Sequence, residues 1–101
     1  TCALPIWHDM TLEDYRAELD AIDKTLEDCF VRRMQTVAKI GEYKQQHGMP
    51  TLDPGREAEV LQKHTAGLEE DLKPCMEDFF KAVMAISRNY QDRNKSLCQN
   101  G

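Results

Sequence analysis

Residues 12–46 read LEDYRAELDAIDKTLEDCFVRRMQTVAKIGEYKQQ, and this proline-free stretch decides the fold because it carries a sustained helical repeat. Positions seven residues apart fall into two interleaved series, which align along one side of an α-helix. One charged residue interrupts this otherwise largely apolar seam. The two series are Leu12, Leu19, Leu26, Arg33, Ile40 and Tyr15, Ile22, Cys29, Thr36, Tyr43.

Arg33 is the charged member of the seam and its most informative position. A guanidinium keeps its charge near pH 7, and burying it unpaired would cost several kcal/mol, comparable with the net stability of a whole domain. The sequence therefore predicts that a negatively charged group meets Arg33. That group is either another side chain or a bound ligand.

The length of the predicted helix indicates how its seam is buried. Thirty-odd residues at about 1.5 Å each extend roughly 50 Å, whereas a compact globule of this chain length has a diameter of only about 33 Å. The chain has no room to bury the seam within itself. We therefore expect an obligate homodimer in which the long helices of two chains pack together.

Capping and breaking residues delimit the helices. Thr11 and Asp14 form a capping box at the start of the long helix. Gly48 followed by Pro50 ends that helix near residue 46. Asp53 followed by a proline is a helix N-cap with proline at the first helical position, so a short second helix begins there and reaches about residue 67.

A third helix of medium length begins at residues 72–74. After Gln91 the sequence turns polar, and we expect the helix to fray there. The predicted fold class is all-α, with three helices and no strands. The predicted stripe of the second helix is Val60, Leu61 and His64. The predicted buried stripe of the third helix is Met76, Phe79, Phe80, Val83, Met84, Ile86 and Tyr90.

Composition narrows the class of protein. A chain of 101 residues with 41% hydrophobic content is expected to form one domain with a core. The net charge of −5, with basic and acidic residues interspersed, argues against a nucleic-acid binder. No run of about 18 apolar residues occurs, so no membrane-spanning helix is predicted.

The four cysteines are widely spaced and include no C-x-x-C pair, which argues against a metal site. We expect Cys29 and Cys75, which lie on apolar stripes, to act as small reduced hydrophobes in a cytoplasmic protein. No phosphate-binding glycine loop, zinc motif or nucleophile with an adjacent base is present, so no cofactor or metal is predicted. Residues 1–10 are predicted to be a disordered or foreign segment, 11–92 the functional domain and 93–101 a polar tail.

Candidate site residues cluster by helix. Arg16 and Arg33 are 17 residues apart, about 25 Å along one helix, so Arg16 would have to come from a partner's antiparallel helix to share a small ligand with Arg33. Lys44 lies on an adjoining face. Taken singly, these cations also fit solvated surface charges. The other candidates are Asp53, Arg56 and Glu57 at the start of the second helix, and Ser87 and Gln91 on the third.

The residues of this second group also have interpretations without a ligand. Segment 53–57 could serve only to cap the helix and place charge in its first turn, and Ser87 and Gln91 could be polar residues at the edge of the core. Considered together, several cations, a serine, a glutamine and one acid suit a small dianion that carries a hydroxyl. Catalysis by positioning and electrostatics would then need no nucleophile.

Five segments resemble the all-helical class of chorismate mutases, and they appear in the family's order over about residues 11–92. The resemblance implies an intertwined dimer of three-helix chains that converts chorismate, a small dianion, to prephenate by a 3,3-sigmatropic Claisen rearrangement in phenylalanine and tyrosine biosynthesis. The segments are LEDYRAELDAID (12–23), RRM (32–34), IGEYK (40–44), PTLDPGRE (50–57) and ISRNYQ (86–91).

The resemblance also implies roles for the candidate residues. Arg33, together with Arg16 of the partner subunit, would bind the substrate carboxylates. Lys44 and Gln91 would hydrogen-bond the ether oxygen, which gains negative charge as the C–O bond breaks. The remaining candidates would hold the ring hydroxyl (Glu57 and the backbone near Asp53) and support a carboxylate (Arg56 and Ser87).

Two other functions stay open. Isochorismate pyruvate lyase shares the fold and a related substrate, although the intact segment from Asp53 to Glu57 favours the mutase. A non-catalytic dimerisation or regulatory module would have lost one or more pocket residues, and none is missing here. The sequence also leaves open whether the chain is a free-standing enzyme or the N-terminal part of a bifunctional one carrying prephenate dehydratase or dehydrogenase.

Overall fold

The structure is a computed structural model that describes residues 10–100, with side chains described to residue 95. It contains three α-helices, α1 (Leu12–Gln46), α2 (Pro54–Thr65) and α3 (Lys73–Asn100). Residues 10–100 include no β-strand, so the all-α prediction is confirmed. Apart from Met10, the predicted N-terminal segment lies outside the described residues.

Helix α1 begins at the predicted capping box. The backbone N–H of Thr11 donates to Asp14 Oδ2 at 2.9 Å, and the N–H of Asp14 donates to Thr11 Oγ1 at 3.1 Å. At the other end Gly48 has a φ of +62°, and the Met49 N–H donates to the Lys44 carbonyl at 2.8 Å. Both predicted ends of α1 are therefore confirmed, because capping depends on residues only a few positions apart.

The chain divides into two compact units, with the boundary between Arg33 and Met34. In the first unit, the leucine, isoleucine and tyrosine residues of the seam are about half exposed, from 49% for Leu26 to 62% for Leu12. Cys29 is exposed as well, with a free thiol. The single chain therefore leaves the seam open to solvent, and its burial against a second chain stays a prediction.

The second unit holds the rest of α1 together with α2 and α3, and α2 packs against α3. The ring of His64 on α2 stacks on that of Phe80 on α3, with centroids 4.6 Å apart. The buried residues are the apolar Val37, Val60, Val83 and Met84 and the polar Ser87 and Gln91.

Three expectations for α3 are wrong. Phe79 and Ile86, predicted to lie in its buried stripe, are more than 40% exposed. Cys75 is exposed rather than packed. The helix also continues to Asn100, although the polar sequence after Gln91 predicts fraying. Residues 92–100 contain neither glycine nor proline, so nothing local stops the helix once the preceding turns have formed.

None of the helices in the part of the chain that the structure describes is long and apolar enough to cross a membrane.

Candidate active site

Lys44 lies in the last turn of α1 and is half-buried against the connector that leads to α2. Its Nζ donates to the backbone carbonyl of Thr51 at 2.8 Å. The Thr51 hydroxyl in turn donates to Asp92 Oδ1 on α3 at 2.8 Å. Thr51 of the connector therefore contacts α1 through its carbonyl and α3 through its hydroxyl. An ammonium has three N–H groups, so Lys44 retains donors for a ligand.

Gln91 is buried between α3 and α1. Its Nε2 donates to the carbonyl of Val37 at 3.1 Å. Gly41 makes this approach possible, because a Cβ at position 41 would lie only 3.0 Å from Gln91 Cγ. A side-chain amide nitrogen carries two N–H groups. Gln91 can therefore donate to Val37 and to a ligand at the same time.

Lys44 and Gln91 line the same small, shallow pocket, which is open to solvent. Its polar lining includes a second cation, Lys95, which the sequence placed in a polar tail. The sequence feature that indicates Lys95 is its spacing of four residues from Gln91. This spacing places the two residues on one face only because α3 continues as a helix. The lining residues are Gly41, Lys44, Gln45, Met49, Thr51, Gln91 and Lys95.

At the start of α2, two candidates have interactions within their own helix. Asp53 is the N-cap, and its Oδ1 accepts from the Arg56 N–H at 3.0 Å. The Arg56 guanidinium pairs with Glu59 one turn along the helix and is largely exposed. In this structure the two side chains have the capping and surface-charge roles that were the alternatives to ligand binding.

Glu57, also in the first turn of α2, has a different partner. Its carboxylate accepts a hydrogen bond from the Arg88 guanidinium on α3, and the two side chains are only 25% and 33% exposed. Arg88 was not among the predicted site residues. Its signal in the sequence is weak, since it is one arginine directly after Ser87 on a helix whose partner could not be known.

Ser87 is buried on α3 and its hydroxyl points along the helix. Its Oγ donates to the carbonyl of Val83 at 2.7 Å and lies 4.0 Å from the sulfur of Met34. A serine has a single O–H donor, so in this rotamer the proton is committed to Val83. To bind a substrate carboxylate, Ser87 would have to donate this same proton, so its hydroxyl would first have to rotate away from Val83.

Arg16 and Arg33 belong to the first unit. Arg16 is exposed, and its Nη1 lies 3.1 Å from Glu13 Oε1 in the first turn of α1. Arg33 is half-buried. Their assignment to substrate carboxylates stays a prediction.

Within the described residues, no group of three or more His, Cys, Asp or Glu side chains is arranged to hold a metal ion. The pocket lining instead includes two lysine ammonium groups and the side-chain amides of Gln45 and Gln91. Such a set of donors binds oxygen atoms that carry negative charge, and it supplies no base or nucleophile.

A family model described as chorismate mutase type II matches residues 15–92. The chain is 35% identical to the T-protein of Haemophilus influenzae over 89 residues, which are 83% of this chain and 22% of that protein. It is 33% identical to the T-protein of Enterobacter agglomerans over 90 residues, 82% of this chain and 23% of that one.

A shorter match joins the chain to the 4-amino-4-deoxychorismate mutase of Streptomyces venezuelae, 49% identical over 45 residues, 45% of this chain and 44% of that protein. The chain thus spans less than a quarter of the T-proteins and less than half of the deoxychorismate enzyme. The family match covers most of the chain and includes Lys44, Gln91 and the larger part of each helix that carries them. The chain belongs to the chorismate mutase type II family.

Proposed function

We propose that the protein is an isomerase that converts chorismate to prephenate by the Claisen rearrangement. The observation that carries this proposal is the meeting of Lys44 and Gln91 at one pocket. The reaction breaks a C–O bond and forms a C–C bond without proton transfer or a covalent intermediate. It needs a substrate held in a reactive conformation and donors aimed at the ether oxygen as that atom gains charge.

Lys44 and Gln91 have the chemistry for the ether oxygen. One is a charged donor and the other a neutral donor, and each has an N–H group beyond the one used inside the protein. The internal hydrogen bonds hold both groups in place before substrate arrives. Pre-positioned donors of this kind lower a barrier because they need little reorganisation during the reaction.

The substrate carboxylates are proposed to bind Arg33 and Arg16 of the partner subunit, with Arg56 and Ser87 as additional support. Arg56 would have to leave Glu59. This change is inexpensive, because an exposed pair three residues apart contributes only about 0.2–0.5 kcal/mol. The ring hydroxyl is proposed to bind Glu57 and the backbone near Asp53.

The proposed assembly is an intertwined homodimer in which α1 of one chain packs on α1 of the other. The half-exposed leucine, isoleucine and tyrosine side chains of the first unit support it, because a stripe of this length is normally covered. We also propose residues 11–92 as the catalytic domain and the cytoplasm as its location, where free thiols such as those of Cys29 and Cys75 persist.

Fusion to prephenate dehydratase or dehydrogenase stays a prediction, and the mass of the native protein would decide it. The relative named 4-amino-4-deoxychorismate mutase suggests a second substrate, in which an amino group replaces the ring hydroxyl. Both compounds have the same reacting atoms, so the same donors would serve either one.

The function is tested by incubating purified protein with chorismate, following its absorbance and identifying the product. Prephenate supports the mutase. Pyruvate and salicylate formed from isochorismate would instead support the lyase. No reaction with either compound would leave the non-catalytic module as the better interpretation. Pyruvate release is measured in parallel with a coupled assay.

A further inference from the structure

The ion pair of Arg88 with Glu57 connects two helices and involves residues 31 positions apart. Both side chains are mostly buried, at 33% and 25% exposed. Three other ion pairs of the described chain, among them Arg56 with Glu59, link residues three or four apart within one helix, with side chains 48% or more exposed. The Arg88–Glu57 pair therefore differs from ordinary surface pairs in its burial and in the sequence separation of its two residues.

The two residues of the pair are close along the chain to residues that line the pocket. Arg88 precedes Gln91 by three residues on α3, about one helical turn, and Gln91 lines the pocket. Glu57 lies in the first turn of α2, directly after the connector whose Thr51 also lines it. Arg56, the neighbouring cation on α2, pairs with Glu59 and does not compete for Glu57.

We propose that Arg88 is a specificity-determining residue that neutralises Glu57, so that the site prefers a substrate with a ring hydroxyl over one with a ring ammonium. The proposal rests on the proposed function, in which Glu57 meets this ring substituent. It assigns chorismate, rather than 4-amino-4-deoxychorismate, as the preferred substrate of this chain.

The physical reason is the net charge that the ring substituent meets. A carboxylate has two oxygens with about four acceptor positions, so Glu57 can accept from Arg88 and from a substrate hydroxyl together. A neutral hydroxyl is indifferent to the positive charge behind the carboxylate. An ammonium would be repelled by the Arg88 guanidinium, and the attraction of Glu57 would already be largely cancelled.

Removing the charge of Arg88 should reverse this balance. In Arg88→Gln, Glu57 becomes an uncompensated anion in a partly desolvated position, where a cationic substituent is its natural partner. We expect the ratio of kcat/KM for 4-amino-4-deoxychorismate to kcat/KM for chorismate to rise at least tenfold. Arg88→Lys keeps the positive charge and should keep a ratio close to that of the wild-type protein.

The experiment measures both substrates with the wild-type protein, Arg88→Gln, Arg88→Lys and the control Arg93→Gln. Arg93 is an exposed cation on the same helix, so its substitution changes the net charge equally without touching the pair. Circular dichroism verifies folding. If Arg88→Gln does not fold, Arg88→Met is used because it retains an aliphatic stem for packing.

The expected result is a shift in the substrate ratio for neutral variants at position 88 alone, with restoration by lysine. An unchanged ratio in a folded, active neutral variant would overturn the proposal and leave the proposed function intact. The same shift in Arg93→Gln would also overturn it, because net charge would then be the cause. A wild-type protein that converts neither compound would overturn the proposed function and this proposal with it.

Discussion

The substitution Gly41→Ala tests whether Gly41 positions Gln91 for catalysis, because it should lower kcat much more than it lowers the stability of the fold. The added methyl would lie 3.0 Å from Gln91 Cγ and 3.4 Å from its Cβ, inside ordinary carbon–carbon contact of about 3.5–4.0 Å. Either Gln91 or α1 must move by several tenths of an ångström. Gln91 is the more mobile of the two, since it is a side chain that can change rotamer, whereas α1 is a continuous helix; the Gln91 amide is held by a hydrogen bond to the Val37 carbonyl.

Three effects set the change in the free energy of unfolding, two of them destabilising and one stabilising. Overpacking a buried contact costs about 1–3 kcal/mol, and weakening the Gln91–Val37 bond costs about 1 kcal/mol. Alanine in a helix interior is favoured over glycine by about 1 kcal/mol. We therefore expect a net loss of about 1–3 kcal/mol in the free energy of unfolding.

The effect on kcat should be larger than the effect on stability, because a displaced Gln91 amide would no longer donate a hydrogen bond to the substrate in the transition state. Removing one such donor typically lowers kcat by about 10²–10³, and a shift of about 1 Å in a positioned group has a similar effect. We expect kcat for chorismate to fall about 100-fold in Gly41→Ala. A methyl that merely narrowed the pocket would raise KM and leave kcat unchanged.

The assay is steady-state loss of chorismate, combined with thermal unfolding. Gly55→Ala is the matched control, because its Cβ would lie 3.6 Å from Asp53 Oδ1, an ordinary contact, in the first turn of α2. It should retain activity and gain up to about 1 kcal/mol. Wild-type kcat in a folded Gly41→Ala protein would refute the reasoning that Gly41 positions Gln91 for catalysis.

Three further predictions concern the donors and the dimer. Lys44→Ala should lower kcat by about two to three orders of magnitude with the helical circular dichroism unchanged, and near-wild-type rates would exclude Lys44 as the main donor. Because Gln91 is neutral and needs no proton, kcat should change little between pH 5 and 8, whereas a sharp loss on raising the pH would contradict this role. Co-refolding Arg16→Ala with Lys44→Ala should restore on the order of a quarter of wild-type activity, since half of the dimers would be mixed and each would hold one intact site. No recovery in a verified mixed dimer would refute the sharing of Arg16.

The seam of α1 shows how far a sequence pattern can be taken. The repeat predicts a long helix with an apolar side, and α1 spans Leu12–Gln46 as expected. The same repeat also predicts burial, yet Leu19 and Ile22 are at least half exposed in the single chain. Periodicity reports which residues share a face, but it does not identify what covers that face.

The sequence by itself determined the elements that depend on neighbouring residues. The Thr11–Asp14 capping box, the left-handed Gly48 and the Asp53 N-cap all act over three or four positions, so their energetics are present in the local chain. The end of α3 was misjudged because a polar composition weakens a helix without breaking it.

Only the tertiary structure decided which side chains meet across the helices. Gln91 donates to Val37 from 54 residues away, and Arg88 pairs with Glu57 from 31 residues away. No periodicity in either helix encodes these pairings, because they depend on how α1 and α2 lie against α3. The local sequence thus determined where the helices begin and which residues they carry, while packing between distant segments decided which donors and charges share a pocket.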